Sequence, residues 1–456
     1  MSKYLLADIG STYTKVCVVS TGDMELIAKA SAPTTIEKDV NIGFNAAVGK
    51  IKKYVAGIKD TFVCSSAAGG LKMAVIGLVP ELTAEAAKMA ALGAGGKVIK
   101  TYAYSLNNDD VKEMKALKPD ILVLSGGIDG GNKEYIVRNA ERIAKAILDI
   151  PVIVAGNKSA YDEIREIFKG RKGVYFTDNV MPEFKKLNLG PTRELVRKVF
   201  LKRITSAKGL DKLKSRARIL MPTPNAVFKA SSLLSAGLKK EKGLGELMTI
   251  DIGGATTDVY SSASGAPDAG CIMLKGLPEP YDKRTVEADI GMRHTLKYLV
   301  EQVNLEDIAK KLKIDVKSIQ KWVKKAGTNS SYTSESSIEE MIESEIAEVG
   351  CETAVDRHCG KIEEAYSPEG KLYLQEGKDL AGVKYVVGTG GAIVYSKNPG
   401  YILKGAIRMK NSPYLKPVNP RLIIDFDYIM WAMGLLSEIE PVAAIKMMKK
   451  YINNNV

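Results

Sequence analysis

A nine-residue pattern occurs twice in this chain, as Asp8-Ile9-Gly10-Ser11-Thr12-Tyr13-Thr14-Lys15-Val16 and as Asp251-Ile252-Gly253-Gly254-Ala255-Thr256-Thr257-Asp258-Val259, the leading aspartates lying 243 residues apart. Each copy follows a short apolar run, Tyr4 to Ala7 or Leu247 to Ile250, and leads into another, Val16 to Val19 or Val259 to Ser261. Each reads as the turn of a β-hairpin, exposed and sharply bent. Gly10, Gly253 and Gly254, with Ala255 beside them, let backbone N–H groups surround phosphate oxygens; Ser11, Thr12, Thr14, Thr256 and Thr257 add neutral donors, and Lys15 adds a positive charge. Asp8, Asp251 and Asp258 would repel a phosphate they touched. Their pattern suits orienting the waters of a Mg2+ ion, which prefers oxygen ligands and keeps water. Two phosphate loops imply one nucleotide held between two half-sites.

One glycine hairpin alone is more often only a tight turn. A third loop adds weight: Tyr385-Val386-Val387-Gly388-Thr389-Gly390-Gly391-Ala392-Ile393 is a buried-type strand running into glycines and a short helix. A purine or ribose can lie against bare backbone at Gly388, Gly390 and Gly391. In this order the loops strongly resemble the actin, Hsp70 and sugar-kinase superfamily of ATPases. That resemblance implies that the first two loops clamp the phosphates from opposite domains and the third receives the adenosine. Ile219-Leu220-Met221-Pro222-Thr223-Pro224-Asn225-Ala226-Val227 lies just upstream of the second loop, where the superfamily has its strand and linking helix.

Longer strings are similar to the glutamate mutase L (MutL/GlmL) family, which is unrelated to the mismatch-repair protein of similar name. They are Ala7 to Lys15, Ser65-Ser66-Ala67-Ala68-Gly69-Gly70-Leu71, Asp129-Gly130-Gly131-Asn132, Arg284 to Arg293 and Asp427 to Gly434. The likeness covers essentially the whole chain. It implies a protein that binds ATP or ADP with Mg2+, a reactivating chaperone for an adenosylcobalamin-dependent carbon-skeleton or amino-group mutase.

The composition is that of an ordinary globular α/β protein of two or three domains, with 456 residues and 45% hydrophobic content. No apolar run approaches the ~18 residues of a membrane span, and the N-terminus goes directly into a strand; the expectation is a soluble, cytoplasmic protein with no membrane partner. Cys17, Cys64, Cys271, Cys351 and Cys359 form no C-x-x-C pair, so free thiols in a reducing compartment are expected. Activators of 2-hydroxyacyl-CoA dehydratases share the phosphate loop and bridge an iron–sulfur cluster, and Cys351 and Cys359 could imitate their ligands.

Much of the net charge of +13 is local. Residues 193 to 242 hold fourteen Lys or Arg against Glu194, Asp211 and Glu241. With only Phe200 and Phe228 as aromatics and no DNA or RNA module, this stretch reads as a solvated face or as a docking surface for an acidic protein, not as a nucleic-acid site.

The fold expected is an actin-like (ribonuclease H-like) two-domain α/β ATPase with an inserted flavodoxin-like doubly wound α/β domain. Domain I takes residues 1–66 and 216–243, the insert 67–215, domain II 244–404, and 405–456 returns to domain I. Residues 1–66 give three strands, a helix at Ile42 to Val55 and a strand at Thr61 to Ser65. In the insert, helices at Thr83 to Leu92, Asp109 to Leu117, Lys133 to Leu148, Ser159 to Phe168 and Thr192 to Ile204 alternate with strands at Lys97 to Tyr104, Asp120 to Leu124, Val152 to Ala155 and Val174 to Phe176. Such alternation argues a parallel sheet. Ser125-Gly126-Gly127-Ile128-Asp129-Gly130-Gly131 ends one of its strands, the usual place of a ligand crevice, yet no Walker Lys-Ser/Thr follows. The insert could imitate the cobalamin-binding domain of a client, competing for a protein interface, since it has no histidine to bind the corrin. Glu301 to Ala365 is expected to be helical. Arg284, Glu287, Asp289 and Arg293 could touch nucleotide or partner, or form surface ion pairs.

Superfamily members that hydrolyse ATP usually place an acid or Gln beside the linking-segment proline, and here Thr223 precedes Pro224. Threonine is no general base, which suggests slow Mg-dependent hydrolysis with Asp251 or Asp258 positioning water. A small-molecule kinase and an actin-like scaffold of the same fold are the alternatives.

Overall fold

The computed structural model describes residues 2–35, 38–66, 71–146, 148–203, 213, 216–267, 272–368 and 370–452. Chain contacts divide it into two units, the first made of Met1–Ala67, Lys208–Met273 and Tyr281–Val456, the second of Ala68–Ala207 and Leu274–Pro280.

The first unit contains the same sheet twice. In the first copy Lys3–Ile9, Tyr13–Ser20 and Glu25–Pro33 form an antiparallel meander; Asp60–Ser65 adds parallel to Lys3–Ile9, and Arg218–Met221 parallel beyond it. In the second, Leu247–Ile252, Thr257–Ser262 and Asp282–Glu287 make the meander, Tyr385–Thr389 adds parallel to Leu247–Ile252, and Arg421–Ile424 lies outside it. Strand order and direction agree position by position, so the two hairpins with the repeated motif occupy equivalent places. This is the architecture the actin-like resemblance implies. The leading strands are covered on both faces: Tyr4 to Ile9 is buried throughout, as a strand next to a parallel neighbour requires.

The helices Thr223–Ala236, Met430–Ser437 and Pro441–Tyr451 share one core with residues of both sheets, including Tyr4, Phe62, Met221, Tyr260 and Val387. Gly434 makes the helix crossing possible, because a Cβ there would lie 1.7 Å from the Ala226 carbonyl oxygen. On the other face of the second sheet, Ser337–His358 packs with Leu305–Leu312 and Val316–Thr328 around Trp322, Ile346 and Ile290. Side-chain caps at Asn304, Asp315 and Ser336 start these three helices.

The second unit has a five-stranded, wholly parallel sheet in the order Gly96–Ala103, Leu71–Gly77, Ile121–Leu124, Val152–Val154, Val174–Phe176. Counted along the chain this is the doubly wound order 2-1-3-4-5. Ile121–Leu124 and Val152–Val154 are fully buried between helices.

Four sequence expectations are corrected. Leu71–Gly77, absent from the expected strands, sits between two neighbours in that sheet. The helix expected from Thr83 begins as a π turn at Pro80–Ala84 before Glu85–Gly93, because the Thr83 hydroxyl takes up the Leu78 N–H. Helix ends at His358, not Ala365: Lys361–Ser367 pairs antiparallel with Gly370–Glu376, and Gly360 permits the corner, where a Cβ would lie 2.7 Å from Gly377. Lastly, residues 405–456 do not return as a whole to the first sheet, since Arg421–Ile424 extends the second through parallel pairing with Tyr385–Thr389.

Candidate functional site

Each glycine hairpin closes in the same way. Gly10 N–H donates to Tyr13 O at 3.1 Å and Gly253 N–H to Thr256 O at 2.9 Å. A Cβ would come within 2.7 Å of the Tyr13 oxygen in the first turn and 3.0 Å of the Thr256 oxygen in the second. Register then sets the charges: Asp8 faces Lys15 across the first hairpin and Asp251 faces Asp258 across the second. The Lys15 ammonium pairs with Asp8 Oδ2 at 2.6 Å and lies 4.2 Å from the Tyr428 ring centre. Asp258 is held by a buried Arg284 guanidinium at 2.9 and 2.6 Å and accepts from Thr256 Oγ1 at 3.2 Å.

Asp251 is the most perturbed carboxyl. Desolvation first, then Asp258, with Asp8 and Asp425 adding and Lys15 opposing, pushes it up to about 7. The influence of Asp8 and Lys15 on Asp251 reflects how near the two hairpins stand, and direct contact occurs at their tips. A Cβ on Gly254 would lie 3.3 Å from Thr12 Oγ1, and His294 Nε2 is 3.4 Å from the same hydroxyl. The third loop joins Asp251: Gly390, at φ 89°, passes so close that a Cβ would lie 2.5 Å from Asp251 Oδ1, and Gly391 opens the short helix Gly391–Val394.

The remaining residues divide. Ser11, Thr12, Gly254, Ala255 and Thr256 are half-buried at the tips. Thr14 is buried and shares a hydrogen bond of 2.9 Å with Thr34 Oγ1, so its hydroxyl is engaged within the sheet. Thr257 is buried with an unpartnered hydroxyl. Gly388 is a packing position, where a Cβ would lie 2.8 Å from Leu403, and does not offer bare backbone to a ligand. Arg284 is no surface charge; Glu287 and Asp289 pair with Arg357, and Arg293 with Glu343.

The roles of three residues escaped sequence reasoning, which had noted Thr223 only as a threonine beside the linking-segment proline. Thr223 Oγ1 donates to Asp8 Oδ1 at 2.6 Å, which ties the linking helix to the first loop. Asp425 accepts from Thr389 Oγ1 and the Ile429 and Met430 N–H groups, all at 2.9 Å, while burial pushes it up to about 6. An acid directly after the apolar run Leu422-Ile423-Ile424 was the signal available. His294 was the third.

No group of three or more His, Cys, Asp or Glu among the described residues could chelate a metal. Asp8 and Asp251 do fit a hydrated Mg2+: two nearby carboxyls, one of them pushed up to about 7 by desolvation and then by neighbouring carboxylates, gain from a divalent cation that keeps its own water. Cys351 and Cys359 are free and buried, and desolvation raises both thiols, Cys359 to about 12; Cys271 lies outside the described residues. The basic stretch 193–242, described only in part, has Lys198 paired with Glu194 and Lys229 with Glu438. No helix among the described residues is long and apolar enough to cross a membrane.

The model of the MutL protein family matches residues 4–452. "Protein MutL" of Clostridium tetanomorphum is 46% identical over 460 residues, covering 99% of each chain. The chain belongs to the MutL (glutamate mutase L) family. The family match runs from the first hairpin through the parallel sheet to the last helix. Among solved structures, component A of (R)-2-hydroxyglutaryl-CoA dehydratase from Acidaminococcus fermentans is 12% identical with a TM-score of 0.33, covering 97% of this chain and 100% of that one. The activator of 2-hydroxyisocaproyl-CoA dehydratase from Clostridium difficile, with bound ADPNP, is 11% identical with a TM-score of 0.32, covering 100% and 98%. At those scores neither likeness bears on the function of this MutL-family chain.

Proposed function

We propose that this MutL-family protein binds ATP or ADP with Mg2+ between its two glycine hairpins and acts as a slow cytoplasmic ATPase that reactivates an adenosylcobalamin-dependent mutase of the glutamate mutase or aminomutase type. The observation that carries the reading is the meeting of the hairpins at Thr12 and Gly254, which brings two sets of backbone donors to one place. Gly10, Ser11, Thr12 and Lys15 would hold phosphate from one side, Gly253, Gly254, Ala255 and Thr256 from the other, with Gly390 and Gly391 beside the adenosine. Asp8 and Asp251 would hold Mg2+ through water; the ion supplies charge neutralisation for the phosphates. Asp258, committed to Arg284, is a positioning residue that keeps the second hairpin in register.

A nucleotide between the two sheets would favour a closed form only by its higher affinity for closed over open, and that difference can be used on a client. A mutase that has lost its adenosyl group holds damaged cofactor in a closed site, so the client is a protein to be opened. The insert at 67–215, assigned here as a flavodoxin-like domain, and the basic stretch 193–242 are its contact surfaces. Calorimetry with ATP and ADP, with and without Mg2+, tests the binding step; no heat of binding under any of these conditions rejects the site. Deleting residues 70 to 210 should abolish mutase rescue while leaving nucleotide binding, and undiminished rescue rejects the insert as contact surface.

A further inference from the structure

The chain has two histidines, placed very differently. His358 is buried between Ser261 Oγ at 2.8 Å and Thr285 Oγ1 at 2.9 Å. His294 is exposed, at the point where the two glycine hairpins meet. Its backbone is fixed to the second hairpin: the N–H groups of His294 and Arg293 donate to Gly254 O at 2.8 and 2.9 Å, and that of Met292 to Gly253 O at 3.1 Å. Gly291 allows this docking, since a Cβ there would lie 2.6 Å from the Ala255 carbonyl carbon. Thr295 Oγ1 adds a bond to Ala255 O at 2.9 Å. His294 is therefore carried rigidly by the second hairpin, and its ring reaches Thr12 of the first.

Other candidates for accepting a proton are already engaged. Thr223 donates to Asp8, and Asp8 is paired with Lys15. Asp258 is clasped by Arg284, and Asp425 accepts three hydrogen bonds. Asp251 is the carboxyl the cation requires. Among the described residues the His294 ring has one side-chain hydrogen-bond partner, the Thr12 hydroxyl, so the imidazole stands at the meeting of the hairpins uncommitted to any charged group. A terminal phosphate seated among Thr12 and the Gly254 backbone would have the ring beside it.

We propose that His294 is the general base for ATP hydrolysis, an inference that rests on the nucleotide reading above. Water oxygen forms a bond to Pγ while the bond from Pγ to the bridging oxygen breaks, its electron pair leaving on ADP. The proton lost by the water passes to the His294 imidazole and then to solvent. General base catalysis of this kind contributes about 10²- to 10⁴-fold.

The experiment compares the wild-type protein with His294→Gln and His294→Ala, reading kcat for ATP hydrolysis, ATP affinity by calorimetry with Mg2+, and thermal melting. Both variants are expected to melt like wild type, to bind ATP with near wild-type affinity, and to lose about 100-fold or more in kcat. Added imidazole should restore part of the His294→Ala rate and none of the His294→Gln rate. Unchanged kcat, or a loss confined to affinity, overturns the inference. A wild-type protein that binds ATP without hydrolysing it also overturns it, and leaves the nucleotide site standing. A wild-type protein that does not bind ATP overturns the nucleotide reading itself.

Discussion

Asp251→Asn should make the nucleotide-free protein more stable above neutral pH, although the change falls in the site itself. Moving a carboxyl from its ordinary 3.8 to about 7 corresponds to up to about 4 kcal/mol, at about 1.36 kcal/mol per pH unit, with solvent at the half-buried group reducing the effect. The sign follows from proton counting. Between pH 4 and 7 the native state keeps a proton that the unfolded chain has released, so stability falls as pH rises through that window and stays low above it. Asparagine does not titrate. The stability gap in favour of Asp251→Asn should widen by up to about 2 kcal/mol between pH 5.5 and 8. Urea unfolding of both proteins at the two pH values, without Mg2+, reads this directly. The same variant should lose Mg2+-dependent nucleotide binding. A gap that does not change with pH, or a variant less stable at pH 8, would refute the desolvation of Asp251 and its repulsion by Asp258, Asp8 and Asp425.

Lys15→Ala should weaken ATP and ADP binding by about 1.5–3 kcal/mol, the worth of a charge-assisted contact, measured by calorimetry; unchanged affinity would make the first hairpin purely structural. Arg284→Ala should destabilise the fold by about 3–5 kcal/mol, because it leaves the Asp258 charge buried without its partner, and the double change Arg284→Met with Asp258→Leu should recover most of that loss in denaturant unfolding. Gly434→Ala should cost about 1–3 kcal/mol or more, since its Cβ would overlap the Ala226 carbonyl and push two core helices apart; a wild-type melting curve would contradict the crossing.

The duplication was legible because both hairpins carry their own turn chemistry: glycines where a Cβ would strike a carbonyl, and apolar runs on either side. Alternating short apolar strands and amphipathic helices likewise announced the parallel sheet, yet Leu71–Gly77 follows directly on a glycine pair and its Leu-Lys start reads as the end of a loop. The hairpin after His358 was missed for a similar reason: Lys361 to Tyr366 mixes charge and apolar residues in a way that also continues a helix. In the site, local chemistry marked the loops but not what long-range pairing adds. Thr223 is 215 residues from Asp8, His294 is 282 from Thr12, and Arg284, open in the sequence to a ligand contact or a surface ion pair, is placed on Asp258 by strand pairing. Thr14 alternates with Lys15, and that strand period turned its hydroxyl to Thr34.

If nucleotide held at this site drives repair of a mutase, turnover of an inactivated adenosylcobalamin-dependent mutase given fresh cofactor reads it out. With the wild-type protein, ATP and Mg2+, activity should return; with ADP alone, with no nucleotide, or with the Lys15→Ala variant at the same ATP concentration, recovery should be much smaller. Equal recovery with and without ATP would mean that nucleotide at the hairpins does not drive the repair.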